Sequence, residues 1–144
     1  MKQKINNFID GKKISHSKSF LNVFNPSTGE IISEVVNSNE VDLQSCINSS
    51  IEAQKKWKNV TPLKRSRIIL NFLTLINKNI DDLAKIISKE HGKTIDDAKG
   101  SITRGIEVLE FAIGIPHLLK GDYSENVGAN IDSHSIRQPL GICV

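Results

Sequence analysis

Residues 94–144 read TIDDAKGSITRGIEVLEFAIGIPHLLKGDYSENVGANIDSHSIRQPLGICV, and this stretch decides the fold. Its first half has the spacing of one long helix. Thr94 suits an N-cap, and Asp96 and Asp97 stand in the first turn, where the positive end of the helix dipole favours anions. Ile95, Ala98, Ile102, Ile106, Leu109 and Ile113 recur at helical spacing and make one apolar face. Val108, Phe111 and Ile115 form a second stripe on nearly the opposite side, with Thr103, Glu107 and Glu110 as a narrow polar wedge between them. A helix apolar on two sides is expected to be covered on two sides. Gly121, just after Leu119 and Lys120, is the expected helix stop. Then come a polar stretch, a weak strand over residues 131–137, Pro139, and the apolar run Leu140-Gly141-Ile142-Cys143-Val144. Such a run reads as a buried strand. The chain stops inside it, so the expectation is the front part of a longer protein. A complete small domain with its last strand tucked in is the alternative.

Working towards the N-terminus, Glu90-His91-Gly92-Lys93-Thr94 separates this helix from three others. Residues 80–91 carry Ile80, Leu83, Ala84 and Ile87 on one face, with Gly92 as the stop. The helix before it has a strong start, Thr61 as N-cap and Pro62 in the first helical position. Leu63, Ile69, Leu70, Phe72, Leu73 and Ile76 cover a broad arc there, so this helix is expected to be mostly buried. Residues 39–58 form the first helix, capped by Ser38 or Asn39, with Leu43, Ile47, Ser50, Gln54 and Trp57 on a shared face. Two hairpins precede it. Residues 4–14 turn at Asp10-Gly11, where both positions tolerate positive φ. Residues 20–24 and 30–36 flank Asn25-Pro26-Ser27-Thr28-Gly29. No linker, repeat or low-complexity tract divides the chain.

The chain has 144 residues, enough for one domain, with 38% hydrophobic and 24% charged residues. A net charge of +3 is too mild to imply nucleic acid, and one Trp and one Tyr provide no stacking platform for single strands. No apolar run approaches the ~20 residues of a membrane span. Two distant cysteines, Cys46 and Cys143, suit a reducing compartment, and the N-terminus lacks the features of a leader. A soluble cytoplasmic protein is the expectation.

Candidates for chemistry are few. His91-Gly92-Lys93-Thr94 ends like a phosphate-binding loop, but Ile87 stands where the first glycine is needed and the residues before it are helical. His16, His91, His117 and His134 pair neither with one another nor with a cysteine at metal spacing, so no metal site is expected. Cys46, on the core side of its helix, and Cys143, in an apolar run, read as buried and inert. Lys55, Lys56, Lys58, Lys64, Arg65 and Arg67 form a basic cluster that reads as a solvated helix face sooner than a phosphate site. Arg104 stands out. By spacing it heads the stripe of Val108, Phe111 and Ile115, which suggests partial enclosure and the need for an anion partner. A local pair with Glu107 is the competing reading, worth a few tenths of a kcal/mol by itself.

Arg104-Gly105-Ile106-Glu107-Val108-Leu109-Glu110-Phe111-Ala112 and Gly114-Ile115-Pro116-His117-Leu118-Leu119-Lys120-Gly121 closely resemble the methylmalonate-semialdehyde dehydrogenases, the CoA-acylating branch of the aldehyde dehydrogenase superfamily. Ser124-Glu125-Asn126-Val127-Gly128 and Ser135-Ile136-Arg137-Gln138-Pro139-Leu140-Gly141 continue the likeness. So do Asn7-Phe8-Ile9-Asp10-Gly11 and two superfamily-wide patterns, Asn25-Pro26-Ser27-Thr28-Gly29-Glu30 and Glu90-His91-Gly92-Lys93-Thr94. The resemblance covers essentially the whole chain.

The resemblance implies an α/β fold: two short β-hairpins, four helices, one oligomerisation strand and the start of the NAD-binding sheet. Residues 1–144 would be the N-terminal part of the NAD-binding and oligomerisation region, cut before the catalytic domain. It implies a parent enzyme, homotetrameric or dimeric, that oxidises methylmalonate or malonate semialdehyde with NAD. A cysteine thiolate attacks the aldehyde, the carboxylate is lost, and coenzyme A takes the acyl group as propionyl-CoA or acetyl-CoA, in valine, pyrimidine and inositol breakdown. The family's chains are several times longer, and its nucleophile, oxyanion asparagine and nicotinamide-binding units lie beyond residue 144. No catalytic or cofactor-binding residue carries over. Arg104 does, matching an arginine that binds the substrate carboxylate. The chain alone is expected to be inactive. Another aldehyde dehydrogenase branch, or a non-catalytic module pairing with full-length subunits, are the other readings.

Overall fold

The structure is a computed structural model that describes residues 3–143. Three short strands open it: β1 (Gln3–Ile5), β2 (Asn7–Ile9) and β3 (Lys12–Ile14). Asp10 and Gly11 both take positive φ, 52° and 72°, as a two-residue hairpin turn requires, and β2 pairs antiparallel with β3 in the register Phe8 to Lys13. β1 leaves the hairpin expected over residues 4–14 and pairs instead, in parallel, with β5 (Ile31–Val36), Lys4 opposite Glu34. β4 (Phe20–Phe24) flanks β5 on the other side, antiparallel, giving the order β1-β5-β4. The β4–β5 turn is held by the Asn25 carbonyl, which accepts from Gly29 N at 2.8 Å, and by the Asn25 side chain, which accepts from Ser27 N at 2.9 Å.

Four helices follow: α1 (Glu40–Trp57), α2 (Pro62–Lys78), α3 (Ile80–His91) and α4 (Ile95–Leu118). α1 begins with a reciprocal capping box. Asn39 Oδ1 accepts from Asp42 N, and Asp42 Oδ2 accepts from Asn39 N, both at 3.1 Å. Asp42 is only 2% exposed, and it also accepts from His16 N at 2.5 Å and Ser17 N at 3.1 Å. One carboxylate thus caps a helix and anchors the β3–β4 connection. The His16 N–H above all holds its carboxyl below the usual carboxylate range. Burial opposes this, and the Asn39 and Ser17 N–H groups and the His16 charge add to the lowering.

α2 and α3 both pack on α4. Ala84 of α3 and Ala98 of α4 are fully buried, the small side chains letting the two helices approach. Lys99 on α4 reaches Asp81 on α3 at 2.6 Å. Ser66 of α2 donates its hydroxyl to the carbonyl of Ile113 at 2.7 Å, close to Pro116, which lies inside α4 and offers no N–H to the carbonyl of Ala112. α2 is less buried than its broad apolar arc suggests. Leu73 is buried, but Leu63, Leu70 and Phe72 are about half exposed, because only one stripe of the helix meets α4.

The last hairpin, β6 (Tyr123–Gly128) with β7 (Ile131–His134), is antiparallel and exposed. Tyr123 donates its hydroxyl to Asp132 across it at 2.6 Å. Gly121 is not the left-handed helix stop expected of it. α4 ends at Leu118 with Leu119 as a right-handed cap, and Gly121 allows a close approach instead: a Cβ there would lie 1.7 Å from the Ser135 carbonyl oxygen. The buried strand expected over residues 140–144 is also absent from the described residues. Residues 140–143 form no strand, and Leu140 is 97% exposed, since no strand among the described residues pairs with this run; Val144 lies outside the described residues.

Candidate substrate-binding site

Arg104 lies a little before the middle of α4. Thr94 starts that helix by accepting from Asp97 N at 3.2 Å, and the hydrophobic spacing rotates Ile102 and Leu109 towards α2 and α3. There they line an apolar groove with Phe72, Ile76, Leu83 and Ile87. Both neighbours sit on that side, so the opposite face of α4 is open. Val108 and Phe111 are 68% and 66% exposed, and Arg104 is exposed with them. The expected enclosure of Arg104 is therefore not supplied by the described residues. The competing pair with Glu107 is not formed either. Arg104 Nη2 donates to Ser101 Oγ at 3.2 Å, one turn back.

Ser101 gathers a second cation. Lys93 Nζ donates to the same hydroxyl at 2.8 Å. Lys93 belongs to the tight α3–α4 connection, and three features fix it. Gly92 ends α3 in the left-handed region at φ +80°; a Cβ there would lie 2.8 Å from Pro26 Cγ. Ser88 donates its hydroxyl to the Lys93 carbonyl at 2.7 Å. Thr94 then caps α4. The two superfamily-wide patterns noted in the sequence meet here, Gly92 resting on the Asn25–Gly29 turn.

In the sequence Lys93 stands out only within His91-Gly92-Lys93-Thr94, which reads as a helix stop and cap, and Ser101 does not stand out at all. Lys93 precedes α4, so helical spacing does not align it with Arg104, and a lone serine carries no signal. Asp42 was missed as well, although an acid three residues after Asn39 is a capping-box pattern.

Both cysteines, read as buried, are exposed. α1 turns Cys46 towards solvent, and the run containing Cys143 is not covered. The basic cluster lies at the α1–α2 junction, with Lys55 paired to Glu52. Among the described residues no group of three His, Cys, Asp or Glu side chains could hold a metal ion, and no helix is long and apolar enough to cross a membrane.

An N-terminal β-hairpin with α1 beside it, a small mixed sheet, the packed helices α2, α3 and α4, and a final exposed hairpin define an α/β arrangement seen in dehydrogenases of aldehydes. Residues 13–144 match the aldehyde dehydrogenase family, and the chain belongs to it. It is 41% identical over 138 residues to a malonate-semialdehyde dehydrogenase of Pseudomonas aeruginosa, covering 96% of this chain and 28% of that one. It is 40% identical over 144 residues to the mitochondrial, acylating methylmalonate-semialdehyde dehydrogenase of Arabidopsis thaliana, covering 99% of this chain and 24% of the relative. Among solved structures, a Sinorhizobium meliloti protein assigned as a methylmalonate-semialdehyde dehydrogenase and complexed with NAD superposes with a TM-score of 0.93 at 47% identity, over 98% of this chain and 29% of its own. The chain thus spans roughly a quarter of the length of these relatives and matches the N-terminal part of their fold.

Proposed function

We propose that this chain is the N-terminal part of the NAD-binding and oligomerisation region of a NAD-dependent, CoA-acylating dehydrogenase. The enzyme would convert methylmalonate or malonate semialdehyde to propionyl-CoA or acetyl-CoA, and Arg104 would bind the substrate's carboxylate. One observation carries this reading: a guanidinium with no ion-pair partner among the described residues heads an exposed apolar stripe on α4. A planar guanidinium takes a carboxylate through two parallel hydrogen bonds, which fixes orientation as well as charge. Val108 and Phe111 beside it suit the short hydrocarbon body of such a substrate.

NAD and coenzyme A supply the hydride acceptor and the acyl acceptor, but these residues do not fit a dinucleotide. β5 runs into α1 through Asn37-Ser38-Asn39, without a glycine, and the N-terminus of α1 is already filled by the carboxylate of Asp42. Both would bind elsewhere in the parent enzyme, and the 144-residue chain alone would be inactive. Two exposed, unpaired cysteines fit the reducing cytoplasm.

Arg104→Ala in a dehydrogenase carrying this segment at full family length tests the reading. We expect a loss of about 2–4 kcal/mol in kcat/KM for methylmalonate semialdehyde and little change for propanal, which has no carboxylate. Equal losses on both aldehydes would reject a role in recognition.

A further inference from the structure

We infer that Lys93 is the second cation of the carboxylate site, coupled to Arg104 through the hydroxyl of Ser101. This rests on the role proposed above for Arg104 and extends it to a residue outside helix α4.

The hydroxyl of Ser101 is used to its full capacity. Its single hydrogen faces the Asp97 carbonyl at 3.2 Å, and its oxygen accepts from Lys93 and Arg104 at 2.8 and 3.2 Å. Two positive charges therefore converge on one neutral atom. Among the described residues the ion pairs are Lys55–Glu52, Lys85–Asp82 and Lys99–Asp81, so no carboxylate neutralises either member of this pair. Like charges held this close repel, and an oxyanion placed between them removes the repulsion while gaining charge-assisted hydrogen bonds. Each cation keeps free donors for it, two on the ammonium and several on the guanidinium.

The pair is also held ready. Lys93 is half-buried, and its backbone is fixed by Gly92 against Pro26, by Ser88 on its carbonyl and by the cap at Thr94. Arg104 is exposed and would otherwise sample many rotamers, so a shared hydroxyl that orients it lowers the entropic cost of binding. Lys93 adds charge, Ser101 adds orientation, and Arg104 supplies the two parallel hydrogen bonds. The ligand is the carboxylate of a short semialdehyde. A phosphate of coenzyme A or NAD has similar chemistry and is separated by the test.

The test uses the dehydrogenase at full family length with Lys93→Met, Lys93→Arg, Ser101→Ala and Arg104→Ala, each assayed with malonate semialdehyde and with propanal. We expect Lys93→Met to raise KM for malonate semialdehyde roughly tenfold, with little change for propanal or in KM for NAD and coenzyme A. Lys93→Arg should restore most of the loss, which a purely structural role would not allow. Ser101→Ala should give a smaller loss in the same direction. If Arg104→Ala is selective for the carboxylated aldehyde and Lys93→Met is not, the Arg104 reading stands and this inference fails. If Arg104→Ala affects both aldehydes equally, the reading beneath it fails. A rise in KM for coenzyme A or NAD alone would assign the pair to a phosphate and overturn the proposal.

Discussion

Asp42 shows how one residue can hold several parts of a fold together. Its carboxylate accepts three backbone N–H groups, from His16, Ser17 and Asn39, and these hold its pKa below the usual carboxylate range. The carboxyl titrates lower in the folded chain than in the unfolded one. The stability it contributes is complete above the unfolded value of about 3.9 and is lost as pH falls through the lower folded value. Asp42→Asn should lower the unfolding midpoint at neutral pH and remove this part of the acid dependence. Parallel midpoint-versus-pH curves for both proteins would contradict it. Gly92 is a second such residue. Gly92→Ala should cost at least about 1–2 kcal/mol from the left-handed φ alone, and more from the clash with Pro26. Urea denaturation reads this, and an unchanged midpoint would show that the α3–α4 connection shifts freely.

The elements were legible where local chemistry marks them. Thr61-Pro62, Asp10-Gly11, Gly92 and Thr94 each carry a conformational requirement that only certain residues meet, and each bounds an element as expected. Partnerships between distant elements were less legible. β1 pairs in parallel with β5, and a three-residue strand carries no periodicity to announce that. Gly121 was misread because its need is a close approach to the Ser135 carbonyl, which depends on the later hairpin. The site divides in the same way. Arg104 was visible as a cation heading an apolar stripe, whereas Lys93 and Ser101 join it only through the packing of α3 on α4. The exposed β7 belongs to this scale too. Its polar side chains and free edge suit pairing with another subunit in the intact enzyme. Slow hydrogen exchange of the Ile131–His134 amides in the assembled oligomer is the expected result, and fast exchange would exclude that pairing.

At the scale of the whole molecule, apolar surface is the dominant feature. Val108 and Phe111 on α4, Leu63 and Phe72 on α2, and Leu140 near the C-terminal end are all more than half exposed. The sequence showed that these residues are apolar and in helical register, but burial depends on what packs against them, which their own spacing does not encode. In the proposed enzyme such faces meet other parts of the subunit and the substrate, and Arg104 with Lys93 supplies the charge that selects a carboxylated aldehyde. The central claim is that this segment belongs to a CoA-acylating semialdehyde dehydrogenase. The most direct measurement follows the products formed by the full-length enzyme from methylmalonate semialdehyde, NAD and coenzyme A. Propionyl-CoA and NADH formed in equal amounts, with no acyl product other than the thioester, is the expected result. NADH formed without a thioester, leaving a free acid that does not depend on coenzyme A, would contradict it.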